Sequence, residues 1–186
     1  MFMYHMINWF FLCSFLGYLL ECVVLSWEYK RPVLDRGFGH GPFCIIYGFG
    51  AMGANLFLGP ISDRPLLLYM SSMSMATCME LVTAGVMIRL FGSFWWDYSK
   101  KKCNYKGIIC LESSLGWGLL GIVYFRFLNA FLHGAAGLVP QQIEGFLAIS
   151  LLCFYIVDFI YCIVERLRDS GNEETEPVIG RLSIRS

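Results

Sequence analysis

Long apolar runs alternate with short connectors rich in Gly, Pro and charge along this chain. A membrane span needs about 20 mostly apolar residues, with about 17–25 tolerated. Five stretches qualify: Met6–Trp27, Pro42–Leu58, Leu66–Leu90, Cys110–Phe131 and Ile143–Val164. The pattern predicts an all-α integral membrane protein, a bundle of about five transmembrane helices filling residues 1–167, with spans near 6–27, 42–58, 66–90, 110–131 and 143–164. The second span is the shortest and holds Gly48, Gly50 and Gly53. A polar tail over 168–186 contains GNEETEPVIGR, which has little to bury and is expected to be disordered. The first apolar run follows MFMYHM, without Lys or Arg, and is too long for a signal-peptide core, so it is expected to be a retained span.

The most polar internal segment is Trp95–Cys110, WWDYSKKKCNYKGIIC. An aromatic pair followed by a lysine run fits a chain leaving a bilayer through the headgroup layer on the cytoplasmic side. With five spans, one side collects Lys30, Arg31, Arg36, Arg89, Lys100, Lys101, Lys102, Lys106, Arg166, Arg168, Arg181 and Arg185, leaving only Arg64 and Arg126 for the other. Loops rich in Lys and Arg stay in the cytoplasm, so the N-terminus is expected outside and the C-terminus in the cytoplasm. Composition agrees: 57% of residues are hydrophobic, 15% are charged, and mean hydropathy is +0.59, against about 25% charged in a soluble domain. At 186 residues there is room for one membrane unit, and a net charge of zero points to no nucleic-acid partner.

Candidate chemistry is sparse. Glu21, Glu80 and Asp158 lie within apolar runs. An ionisable group at mid-bilayer costs about 2.5–3.5 kcal/mol on insertion scales, so it faces a bundle interior, a cavity or a partner charge. Glu80 is farthest from either end of its span, and a proton carrier, a substrate contact and an ion-pair anchor compete evenly with a buried acid bonded to a neighbouring helix. For Glu21 and Asp158, nearer the interface, the structural role is favoured. The methionines and serines of the third span read as packing rather than a soft-metal site. His5, His40 and His133 are expected to be scattered between the two sides and to form no cluster, no CxxC occurs among the eight Cys, and no metal site or cofactor is expected. Gly37, Gly39 and Gly41 precede Pro42; a tight re-entry into the bilayer explains them with fewer assumptions than an anion site assisted by Arg36.

Two strings, RGFGHGPFCIIYGFGA (Arg36–Ala51) and WWDYSKKKCNYKGIICL (Trp95–Leu111), together with SFLGYLLE (Ser14–Glu21) and the acid Glu80, resemble the family described as "putative ABC-transporter permease, type IV". The resemblance runs from the first span through the fourth. It singles out Glu21, Arg36, Gly37, Gly41, Pro42, Tyr47, Gly48, Glu80, Trp96, Asp97, Tyr98, Asn104 and Gly107. The chain departs from the family's pattern at Ile45 (usually Pro), at Ile88 (often Glu), and at Phe94 and Ile108 (commonly Arg), which removes charged positions from any shared ion-pair network.

The resemblance implies a bacterial inner-membrane permease component of a transporter, with no catalytic residues of its own. The chain has no Walker A string, so a separate ATPase would be needed, and the cytoplasmic 95–109 loop is the expected dock. Five spans are few for a pathway, so a homo-oligomer is expected. A non-catalytic membrane module that assembles with or regulates another protein is the alternative. A membrane enzyme acting on a lipid-linked substrate ranks below both, since no nucleophile–base pair is evident. For WWDYS, anchoring of Trp95, Trp96 and Tyr98 at the headgroups is the simplest reading and is compatible with any of the three.

Overall fold

A backbone inside hydrocarbon must satisfy its own N–H and C=O groups, which a helix does within one segment. The computed structural model describes residues 2–172, and helix dominates them. The helices are α1 (Phe2–Tyr29), α2 (Ile45–Gly53), α3 (Pro65–Phe91), α4 (Leu111–Val123), α5 (Asn129–Gly137) and α6 (Gln141–Asn172). A wide π-helical turn, Ala54–Leu58, extends α2 into a short 3₁₀ turn, Gly59–Ile61, and a second one, Tyr124–Leu128, joins α4 to α5. Four continuous helices are long and apolar enough to cross a membrane: Phe2–Tyr29, Pro65–Phe91, Leu111–Gly137 and Gln141–Arg166. The apolar helix Ile45–Ile61 is shorter and stands at the lower end of the about 17–25 residues tolerated in a span. The chain is an all-α, multi-pass membrane protein.

Local chemistry sets the helix ends. Pro65 occupies the first turn of α3, where its missing N–H costs nothing, and Gly92 closes that helix in the left-handed conformation at φ 72°. The helix of the fourth expected span does not stop at 131 but runs through the π turn to Gly137, because hydropathy marks the lipid-facing stretch and not the last hydrogen bond. Likewise, 168–172, expected as the start of a disordered tail, continue α6, and the rest of that tail, 173–186, lies outside the described residues.

Two compact units divide the described chain. The first takes 2–57 and 124–163. In it α1 packs on α2 and α5. Its contact with α2 is reciprocal: a Cβ on Gly17 of α1 would run into the ring of Tyr47, and one on Gly48 of α2 would meet Ser14 and Phe10. Small residues let the two backbones approach closely. The chain returns toward α2 through a bond from the Cys44 amide to the Ser14 carbonyl, 3.0 Å. The two π turns also meet here, since Asn55 donates to the Tyr124 hydroxyl at 2.9 Å and that hydroxyl lies 3.2 Å from Asn129 Oδ1. Buried Trp9 stacks on His133 at 4.9 Å, and Asn8 donates to the Glu144 carbonyl, tying α1 to α5 and α6.

The second unit takes 58–123 and the 164–172 end of α6. Here α3 packs along α4. Glycines again set the distance: Gly118 receives the Tyr69 ring and Gly121 receives Ser72. Thr77 donates to Ser114 Oγ at 2.9 Å across the same seam. Between α3 and α4 lies a folded loop carrying two short antiparallel strands, β1 (Asn104–Tyr105) and β2 (Ile109–Cys110), with Asn104 opposite Cys110.

Candidate functional site

In the first unit two of the residues singled out by resemblance, Arg36 and Tyr47, meet at Glu21. Its two carboxylate oxygens are divided between partners: Tyr47 OH donates to Oε1 at 2.8 Å, and Arg36 Nη2 lies 3.4 Å from Oε2. The three side chains come from α1, the first connecting loop and α2, so one carboxylate pins that loop to both helices. Packing fixes the arrangement, since Tyr47 is seated against Gly17. Arg36 is partly buried, with 19% of its side chain exposed, and its Nε lacks a hydrogen-bond partner among the described residues.

The glycine-rich stretch beside Arg36 is held from the far end of the sequence. Asp158 of α6 accepts from the His40 amide at 3.2 Å and the Gly41 amide at 3.1 Å. A Cβ on Gly39 would collide with the Asp158 carboxylate, and one on Gly41 would press on the Phe154 ring. Gly37 sits at φ 96°, a conformation that side chains other than hydrogen disfavour. The amides that an anion would use at 40 and 41 are thus already bonded. Pro42 is exposed, and Gly48 belongs to the α1–α2 seam.

In the second unit the loop between α3 and α4 is organised by its own side chains. Asp97 caps the turn by accepting from the Ser99 amide at 2.8 Å, and its Oδ1 also takes the Ser99 hydroxyl. Asn104 donates to the Lys101 carbonyl at 2.8 Å and accepts from the Gly107 amide at 3.1 Å. Gly107 is buried at φ 70°, and a Cβ there would lie 2.8 Å from Asp97 Oδ1. The Trp96 indole N–H donates to the Ile108 carbonyl at 2.7 Å, and the Tyr98 amide donates to the Gly107 carbonyl at 2.8 Å. Tyr98 then reaches out of the loop: its hydroxyl donates at 3.0 Å to Oε1 of Glu80, which is 4% exposed on α3. The loop after α3 therefore grips the buried acid of α3.

Lys100, Lys102 and Lys106 are exposed on this loop, while Lys101 reaches Glu112 at 3.3 Å. Two of the departures that the resemblance implies fall at the Trp96 clasp: the Phe94 ring packs edgewise on Trp96 at 5.2 Å, and Ile108 is buried and lends its carbonyl. Of the other two, Ile45 opens α2, and Ile88 is exposed while its carbonyl caps α3 through Gly92.

Nine of the thirteen residues fall into two groups, and Gly37, Gly41, Pro42 and Gly48 lie outside both. Arg36 and Tyr47 both bond to Glu21, and Glu80, Trp96, Asp97, Tyr98, Asn104 and Gly107 form one network. Sequence reasoning missed two further constellations. His5 and His133 stack at 6.0 Å although they are far apart in the chain, and His40 meets Asp158 and Cys162. The i, i+4 spacing of Asp158 and Cys162 was a visible hint; the arrival of His40 was not.

No curated protein and no solved structure matches the chain. A family model does, over residues 8–163, which takes in both networks and most of each apolar helix. On that match the chain belongs to the family described as "Putative ABC-transporter type IV".

Proposed function

We propose that this chain is the membrane-embedded permease component of a transporter, powered by a separate ATPase that docks on the 95–109 loop. The observation that carries this reading is the folded state of that loop. A chain that only had to leave a bilayer would be served by a flexible basic connector. Here Asp97, Asn104 and Gly107 build a fixed turn, and the Trp96 N–H is spent on a backbone carbonyl instead of the headgroup layer. A preformed surface loses less freedom on docking. Its exposed lysines suit an acidic partner and would speed encounter.

The distribution of Lys and Arg supports an N-terminus outside and the 95–109 loop in the cytoplasm, where ATP is available, with the chain in the inner membrane of a bacterium. In that arrangement Tyr98 conveys the position of the docking loop to Glu80, and the Glu21–Arg36–Tyr47 cluster anchors the first cytoplasmic loop. Few helices are available to line a pathway, so a homo-oligomer completes it.

The test is co-purification of the tagged chain from native membranes in nanodiscs, with mass spectrometry of what accompanies it. A P-loop ATPase should be retained, and lost when Lys100, Lys102 and Lys106 are all changed to Glu. A preparation of the wild-type chain free of any nucleotide-binding subunit contradicts the reading and leaves a non-catalytic assembly module in its place.

A further inference from the structure

We propose that His40, Asp158 and Cys162 form a binding site for a divalent transition metal, Zn²⁺ foremost, at the point where the glycine-rich loop meets α6. The three donor atoms converge: His40 Nδ1 lies 3.2 Å from Asp158 Oδ1 and 3.2 Å from Cys162 Sγ, and Sγ lies 3.9 Å from Oδ1. Tetrahedral zinc, with bonds of about 2.0–2.2 Å to N and O and about 2.3 Å to S, sets its ligand atoms about 3.3–3.6 Å apart. The observed triangle needs shifts of only a few tenths of an ångström to become one face of that tetrahedron.

Hydrogen bonding alone accounts for this triangle less well. An imidazole Nδ1 offers one proton or one lone pair, yet two acidic groups approach it at the same distance. A cation would satisfy all three at once, with Cys162 bound as thiolate, its proton released to solvent, and the His40 ring proton carried on Nε2. The mixed N, O and S donor set suits Zn²⁺ or Co²⁺ and disfavours Mg²⁺ and Ca²⁺, which take oxygen ligands.

The surroundings are those of a built site. Asp158 and Cys162 stand one turn apart on α6, and Cys162 is buried. The carboxylate is aimed by the His40 and Gly41 amides, which is how outer bonds orient a metal ligand. His40, with 56% of its side chain exposed, leaves a way in from solvent. Loading would clamp the 37–41 loop to α6 with a strength that the hydrogen bonds to Asp158 do not reach alone.

The full chain in nanodiscs, stripped with chelator and titrated with Co²⁺, tests this. One Co²⁺ per chain should bind with a thiolate-to-cobalt charge-transfer band, and Zn²⁺ should displace it. Cys162→Ser should abolish the band, while Cys153→Ser, at an exposed cysteine on the same helix, should leave it. His40→Gln, at an exposed side chain, should weaken binding by at least the about 10–100-fold that loss of even an outer-shell partner brings. Absence of the band in the wild-type chain at stoichiometric Co²⁺, or a band that survives Cys162→Ser or is indifferent to His40→Gln, overturns the site.

Discussion

A carboxyl group 4% exposed on a membrane helix has to be held, and Tyr98 contributes to holding Glu80. Removing that donor with Tyr98→Phe should lower stability by about 1–3 kcal/mol, the range for a buried polar group deprived of a partner. Reversible unfolding in mixed detergent micelles would measure it. In a double-mutant cycle with Glu80→Gln, the pair should show a coupling of about 0.5–3 kcal/mol; strict additivity would mean that the contact carries no energy. Glu80 itself was legible as a lone acid inside an apolar run. Its partner was not, because the hydroxyl arrives from eighteen residues away over a loop whose fold depends on Asp97, Asn104 and Gly107 acting together. The same limit applies to Glu21: an acid inside an apolar run can be read from one residue, whereas Arg36 and Tyr47 reach it only once the loop between α1 and α2 has folded.

Among the elements, glycines divide into those that hold helices together and those that hold nothing. Gly17 faces the Tyr47 ring across the α1–α2 seam, whereas a Cβ on Gly134 of α5 would meet no atom within 4 Å. Gly17→Ala should therefore cost about 1–3 kcal/mol by overpacking and displace Tyr47 from Glu21. Gly134→Ala should be neutral or slightly stabilising, by up to about 1 kcal/mol from helix propensity. Equal effects at both positions, measured by thermal denaturation in detergent, would contradict the seam. Sequence alone could not separate the two, since both are helical glycines in apolar runs. It did reveal the helices, because apolar length is a strong signal for them. It missed the π turns at Ala54–Leu58 and Tyr124–Leu128, which change the hydrogen-bond register without changing hydropathy, and the β1–β2 hairpin, whose strands are two residues each.

For the whole molecule, the account turns on which side of the bilayer the α3–α4 loop faces. Cys103 lies exposed within that loop, close to Lys100, Lys102 and Lys106. A membrane-impermeant thiol reagent should modify Cys103 in inside-out vesicles and spare it in intact cells, read by mass spectrometry of the Cys103 peptide. Labelling from the outer face would reverse the proposed orientation and remove the loop from ATP. Charge distribution along the sequence is the ground for this orientation.

The most direct test of the docking claim is photocrosslinking in native membranes from a benzophenone amino acid placed at Lys102, an exposed position on the folded loop. A crosslink to a P-loop ATPase is expected that disappears when Asp97→Ala undoes the turn, while a probe at Val82, exposed on the apolar face of α3, captures no ATPase. Crosslinks from Lys102 to lipid alone would contradict it and return the loop to the role of a headgroup anchor.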